Sequence, residues 1–117
     1  MGSKQTAGAH GEDLAAAYLG LIGWRLVERR VKLGGVEVDM LARDGDTHVL
    51  VEVKLRSRAD YGGAPFALER EQGDRLRRAA AAIGRRVPGP VRVDLVAVDL
   101  ADDEARIRHY RNAVPGR

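Results

Sequence analysis

Apolar residues recur along the chain with two periods. Leu14, Ala17, Tyr18, Leu21 and Ile22 fall at helical spacing and predict a first helix from about Gly8 to Leu21, ended near Gly23. Trp24 to Leu33 reads as a strand. Val36 to Ala42 and Thr47 to Leu55 alternate at period two around Asp44-Gly45-Asp46, which predicts a hairpin. After the loop Tyr61-Gly62-Gly63-Ala64-Pro65, the residues Leu68, Leu76, Ala79, Ala80 and Ile83 mark a second helix from about Phe66 to Ile83, with Gly84 as its stop. Val91 to Leu100 is a fourth strand and Ala105 to Tyr110 a short fifth. The order helix, three-strand meander, helix, strand predicts a central mixed β-sheet flanked by helices. The third and fourth strands, joined through a helix, should run parallel.

Nothing in the chain looks like a repeat or a linker, so its 117 residues, 44% hydrophobic and 32% charged, are expected to form one α/β domain spanning 1–117. Twenty basic residues against 17 acidic ones give a formal charge of +3, too even for a disordered polyelectrolyte but compatible with phosphate-bearing partners. The absence of cysteine excludes a disulfide scaffold, a thiolate zinc site and a cysteine nucleophile. Oxygen-ligand metal chemistry survives that cut. The longest nearly apolar run, Leu14 to Trp24, is about half the ~20 residues of a membrane helix and follows Glu12 and Asp13 rather than basic residues. A cytoplasmic protein without a membrane partner is expected.

The hairpin carries the candidate chemistry. If Gly45 and Asp46 form its turn, Asp39 lies opposite Glu52 and Glu37 opposite Lys54; if Asp44 and Gly45 do, Glu37 faces Glu52. Either turn gathers Glu37, Asp39, Glu52 and Lys54 on one face, with Val36, Val38, Met40, Val49, Val51, Val53 and Leu55 on the other. Opposed carboxylates repel, so something positive should sit between them: Lys54, or a divalent cation completed by water and phosphate oxygens. A solvated sheet face with an ordinary surface ion pair explains the same spacing. His10, His48 and His109 are too scattered to add a metal cluster.

Taken together, Gly11-Glu12 opening an Ala-rich helix, Glu37-Val38-Asp39-Met40-Leu41-Ala42, Val51-Glu52-Val53-Lys54-Leu55-Arg56, Tyr61-Gly62-Gly63 and Val93-Asp94-Leu95-Val96-Ala97-Val98 resemble the YraN-like family of small bacterial proteins. That family is grouped with the restriction-endonuclease-like PD-(D/E)XK nucleases, near the archaeal Holliday-junction resolvases. The resemblance runs from about Gly8 to Asn112 and implies a restriction-endonuclease-like fold and a Mg²⁺- or Mn²⁺-dependent endonuclease acting on duplex or branched DNA. It makes Asp39 and Glu52 metal ligands, joined by the carbonyl of Val53, with Lys54 orienting the attacking water or the scissile phosphate. Glu12 would complete the metal environment. Such sites place positive charge where the phosphorane forms. Read from the residues alone, Glu37 is a supporting residue beside the site in either pairing or simply Lys54's counter-ion. Gln72, a polar residue four before Leu76 on the buried stripe of the second helix, either points toward the site for a partner or sits near the helix end in water.

Periodicity alone does not aim Glu12 at the sheet: it shares a stripe with Ala16 and Leu19, roughly opposite Leu14 and Tyr18, and a first-turn glutamate also complements the helix dipole. Val36 stands where the family usually has glycine, and Gln72 where it usually has lysine. The first departure threatens close backbone approach and the second removes a charge near substrate. Arg56, Arg58, Arg75 and Arg78 are candidates for a phosphate track, against the plainer reading of Glu71 with Arg75 and Asp74 with Arg78 as i,i+4 helix pairs. Trp24 reads as core rather than a base-stacking platform. A non-catalytic nucleic-acid-binding protein that keeps the nuclease fold is the alternative function. An acidic face that docks a protein partner is the third. A homodimer is the assembly that paired junction cuts require.

Overall fold

The computed structural model describes residues 3–57, 69–101 and 103–114. Its elements, in chain order, are α1 (Ser3–Leu21), β1 (Arg25–Leu33), β2 (Val36–Asp44), β3 (Thr47–Ser57), α2 (Arg70–Gly84), β4 (Val91–Ala101) and β5 (Glu104–Tyr110). The sheet order is β1-β2-β3-β4-β5, antiparallel except for the parallel β3–β4 pair that the α2 crossover dictates. A mixed five-stranded sheet with two helices is therefore present, and the short fifth strand forms. Residues 66–68, where the sequence begins the second helix, and the loop 61–65 lie outside the described residues.

Two apolar layers hold the sheet. On one side Leu76, Ala79 and Ile83 of α2 pack on Val31, Leu33, Leu41, Leu50 and Val93. On the other, Ala15 and Leu19 of α1 join Trp24, Met40, Val49, Val51, Val96 and Val98. Trp24 is core, as its sequence context predicts. No helix among the described residues is long and apolar enough to cross a membrane.

The buried stripe of α1 differs from the one its larger residues suggest. Gly11, Ala15 and Leu19 face the sheet, Leu14 and Tyr18 sit half-buried beside them, and Leu21 is exposed. Small residues carry little hydrophobic weight in a periodicity argument, but they allow close approach: a Cβ on Gly11 would lie 3.1 Å from Leu55 Cδ1. This rotation brings Glu12 to the flank of the buried stripe. The end of α2 is also a correction, because Gly84 is its last helical residue and Arg85 caps it in right-handed geometry. The amides of Arg86 and Val87 both donate to the Ile83 carbonyl, at 2.8 and 3.1 Å, tightening the last turn ahead of Pro88.

Candidate functional site

The β2–β3 hairpin turns at Gly45-Asp46, with Asp44 paired to Thr47 and Gly45 at φ +60°. Of the two registers the sequence allows, this is the one that sets Asp39 against Glu52. The ladder stops at Met40 and Val51, however, so Glu37 never pairs with Lys54. Beyond that point Asp39 Oδ2 accepts a 2.8 Å hydrogen bond from the Val53 amide, and the carboxylate stands in for the missing strand. In an antiparallel strand a residue's N–H and C=O point to the same edge, so the Val53 carbonyl faces this fork as well.

The fork arises from a turnover in β1 and β2. Arg29 pairs with Met40 and Val31 with Val38, leaving Arg30 and Asp39 opposite each other between two ladder pairs. Arg30 has φ +53°, a left-handed geometry that costs a non-glycine residue roughly 1–2 kcal/mol. On either side of this point the strands exchange faces: Met40 packs on the α1 side, whereas Val31, Val36 and Val38 pack on the α2 side with Leu41 and Leu50. The single-face alternation expected of β2 therefore holds only from Asp39 to the turn. Glu37 is correspondingly exposed, across from Lys32 of β1 and away from the carboxylates it was grouped with. Val36 is buried in the α2-side core, so its side chain does not crowd the fork.

Glu52, Lys54, Gln72 and Glu12 converge on Asp39 from three elements. Gln72 Nε2, near the start of α2, donates to Glu52 Oε2 at 2.7 Å, and Lys54 Nζ lies 3.6 Å from the same oxygen. Asp39 and Glu52 lie close enough for each to affect the other's ionisation. Glu12 is held by Arg29 Nη2 and Arg30 Nε, both at 3.3 Å, and lies near enough for its charge to act on Asp39. Burial pushes the Glu52 carboxyl up to about 7, helped by the charge of Asp39 and opposed by Lys54. Asp39 is raised too, by burial first and by the charge of Glu12, against the lowering effect of the Val53 amide.

Two half-buried carboxyls that resist ionisation side by side are short of positive charge, which Lys54 supplies only in part. The donor set is oxygen throughout: two carboxylates and, at the fork, the Val53 carbonyl. It suits a hard cation such as Mg²⁺ or Mn²⁺, which takes one or two protein carboxylates and completes its shell with water and phosphate oxygens. Among the described residues no three acidic or histidine side chains form a ready-made cage. Gln72 orients Glu52 without neutralising it, so Gln72→Ala is expected to weaken Mn²⁺ binding about tenfold, as measured by calorimetry.

The arginines singled out from sequence divide. Arg75 and Arg78 are exposed on α2 beside Glu71 and Asp74, and the ion pair that forms there joins Asp74 to Arg77 at 2.7 Å rather than to Arg78. Arg56 is largely buried, its Nε 3.1 Å from Asp99, an internal pairing where the sequence suggested a surface phosphate contact. Arg58 lies outside the described residues. His48 sits at the turn end of the sheet, remote in register from Glu52, and borders a pocket of about 570 Å³ with Arg43, Asp46 and Pro88-Gly89-Pro90.

Sequence reasoning gave no role to a second polar centre, around Asp94. This carboxylate is fully buried and accepts from Arg92 Nε at 2.8 Å, Arg92 Nη2 at 3.1 Å, the Asn112 amide at 2.9 Å and His109 Nε2 at 2.8 Å. The other ring nitrogen of His109 takes the Tyr18 hydroxyl at 2.8 Å, and Trp24 packs edge-on against the same ring. Burial alone would raise the Asp94 carboxyl; His109, Arg92 and the Asn112 amide outweigh it and hold it below its usual range. The network ties α1, β4 and β5 together. The available signal was a carboxylate inside the apolar run Val93-Asp94-Leu95-Val96, since a charge buried in a central strand needs partners.

Comparison with known proteins adds a family match. The model of "Uncharacterised protein family UPF0102" matches residues 11–98. A UPF0102 protein of Geobacter sulfurreducens is 41% identical over 110 residues, covering 91% of this chain and 86% of that one. A UPF0102 protein of Anaeromyxobacter dehalogenans is 36% identical over 116 residues, covering 97% and 87%. A third, from Pseudarthrobacter chlorophenolicus, is 42% identical over 101 residues, covering 84% and 76%.

Proposed function

The chain belongs to the uncharacterised protein family UPF0102, and from that premise we propose that it is a divalent-metal-dependent endonuclease of restriction-endonuclease-like fold that hydrolyses DNA phosphodiester bonds. The observation that carries this reading is the Asp39–Glu52 pair, half-buried at the fork between β2 and β3, with Asp39 bonded to the Val53 amide and Glu52 to Gln72. Asp39, Glu52 and the Val53 carbonyl would hold Mg²⁺ or Mn²⁺, which supplies an acidified water and positive charge at the phosphate. Lys54, 3.6 Å from Glu52, would hold that water or a non-bridging phosphate oxygen. Gln72 fixes one Glu52 oxygen. Glu12 adds a third carboxylate at the rim, held by arginines.

Branched repair or recombination intermediates are the proposed substrates. The chain's five aromatic residues leave little for base stacking, which favours recognition of backbone and shape. The exposed Arg75 and Arg78 on α2, the helix that also carries Gln72, offer backbone contacts leading away from the carboxylates. The test is cleavage of labelled duplex, flap and four-way-junction DNA with Mg²⁺, Mn²⁺ or EDTA. Metal-dependent cutting, strongest on branched DNA, is expected. Binding without cutting by folded protein in either metal would instead favour a nucleic-acid-binding protein on the same fold.

A further inference from the structure

Arg30 combines three features that no role above explains. It is a non-glycine residue in left-handed geometry, at φ +53°, directly opposite Asp39 at the point where β1 and β2 exchange faces. Its Nε holds Glu12 at 3.3 Å. Its side chain is nevertheless 62% exposed, and because the contact to Glu12 uses Nε, neither terminal nitrogen is taken up among the described residues, which leaves both for another anion. Its neighbour Arg29 differs: one terminal nitrogen goes to Asp13 at 2.9 Å and the other to Glu12. Backbone strain of this kind persists where surrounding structure imposes it, and it concentrates at sites that aim a side chain.

We propose that Arg30 binds a phosphate of the substrate backbone beside the Asp39–Glu52 pair, with Glu12 fixing the guanidinium in place. The proposal rests on the nuclease reading for what lies at Asp39 and Glu52, and it adds the residue that seats the phosphodiester there. A guanidinium presents several N–H donors in a rigid plane, so it can bind a carboxylate through Nε and a phosphate through its terminal nitrogens at once; an ammonium, a point charge, has no such fixed geometry. The left-handed backbone turns this side chain to the α1 side of the sheet, where Glu12 sits, while the next residue, Val31, turns into the opposite core.

The test is equilibrium binding of labelled duplex DNA in EDTA across a salt series, with wild type beside Arg30→Gly, Arg30→Asn and Arg106→Ala. Glycine and asparagine both accept left-handed backbone, so melting temperatures at or near that of wild type are expected for the two Arg30 variants. Arg106, on edge strand β5 with its side chain 71% exposed, is the matched control for loss of one positive charge. Both Arg30 variants should lose about one unit of the log–log salt slope and bind about tenfold more weakly, while Arg106→Ala follows wild type. An unchanged slope in the Arg30 variants, an equal loss in Arg106→Ala, or a wild type with no affinity for DNA would overturn the proposal. Because no metal is present, a wild type that binds DNA but never cuts it would defeat the nuclease reading while the slope still decides the phosphate contact.

Discussion

Cleavage by Asp39→Ala and by Glu52→Ala is expected to fall at least about a thousandfold below wild type in Mg²⁺ or Mn²⁺, while duplex binding in EDTA is expected to be kept or strengthened. Each substitution removes one of two carboxylates that would hold the cation, and the charge stabilisation a metal gives a phosphoryl transition state is worth several kcal/mol, about a thousandfold or more in rate. Binding should be spared because, on this reading, phosphate affinity would come from the arginines, and deleting a negative charge beside a phosphate path removes repulsion. Measuring kcat and KM separately from EDTA binding distinguishes this from misfolding. Loss of binding together with cutting would mean that the carboxylates support the fold rather than the reaction.

The second large effect is on stability. The Glu52 carboxyl moves from its usual 4.5 to about 7 in the folded protein, so the folded state holds this proton more tightly than the unfolded chain. The associated stability is fully present below about pH 4.5 and is lost as pH rises to about 7, a difference of about 3 kcal/mol. Asp39 shifts in the same direction. In EDTA, melting temperature should therefore fall between pH 5 and pH 8, and Glu52→Gln should remove most of that fall, melting roughly 10 °C above wild type at pH 8. Added Mn²⁺ should restore the wild type at pH 8 and do little for Glu52→Gln, since a cation stabilises the folded state only where it binds. A scanning-calorimetry series over pH, with and without metal, measures all of this. Equal pH profiles for the two proteins would show that the pair carries no such strain.

The hairpin was legible down to two registers, because Asp44-Gly45-Asp46 restricts the turn and the valines of β3 leave only one face for charge; the pairing of Asp44 with Thr47 selects between them. The parallel β3–β4 pairing followed from the intervening helix. The exchange of faces at Arg30 and Asp39 was not legible, because alternation continues through Val36, Val38 and Met40 as if one face ran the whole length, and nothing in the type of residue 30 announces a left-handed backbone. That event decides which predicted site residues meet: Asp39 joins Glu52, and Glu37 is left exposed across from Lys32. Glu12 was hidden for a different reason. The stripe that seats α1 is Gly11, Ala15 and Leu19, and two of those three carry too little apolar weight to outvote Leu14, Leu21 and Ile22. Gln72 is a polar residue four positions before Leu76 on the apolar stripe of α2, which demands a partner without naming it, and the partner is Glu52. Arg56 read as a surface cation because its partner, Asp99, lies 43 residues along the chain.

The most direct measurement is a calorimetric titration of Mn²⁺ into metal-free wild type, Asp39→Asn and Glu52→Gln. One saturable site in wild type, weakened about tenfold or more by either substitution, is predicted, since both side chains keep their shape and lose only the charge that draws the cation. Equal affinity in all three proteins, or no binding by wild type, would contradict the assignment of the fork between β2 and β3 as a metal site.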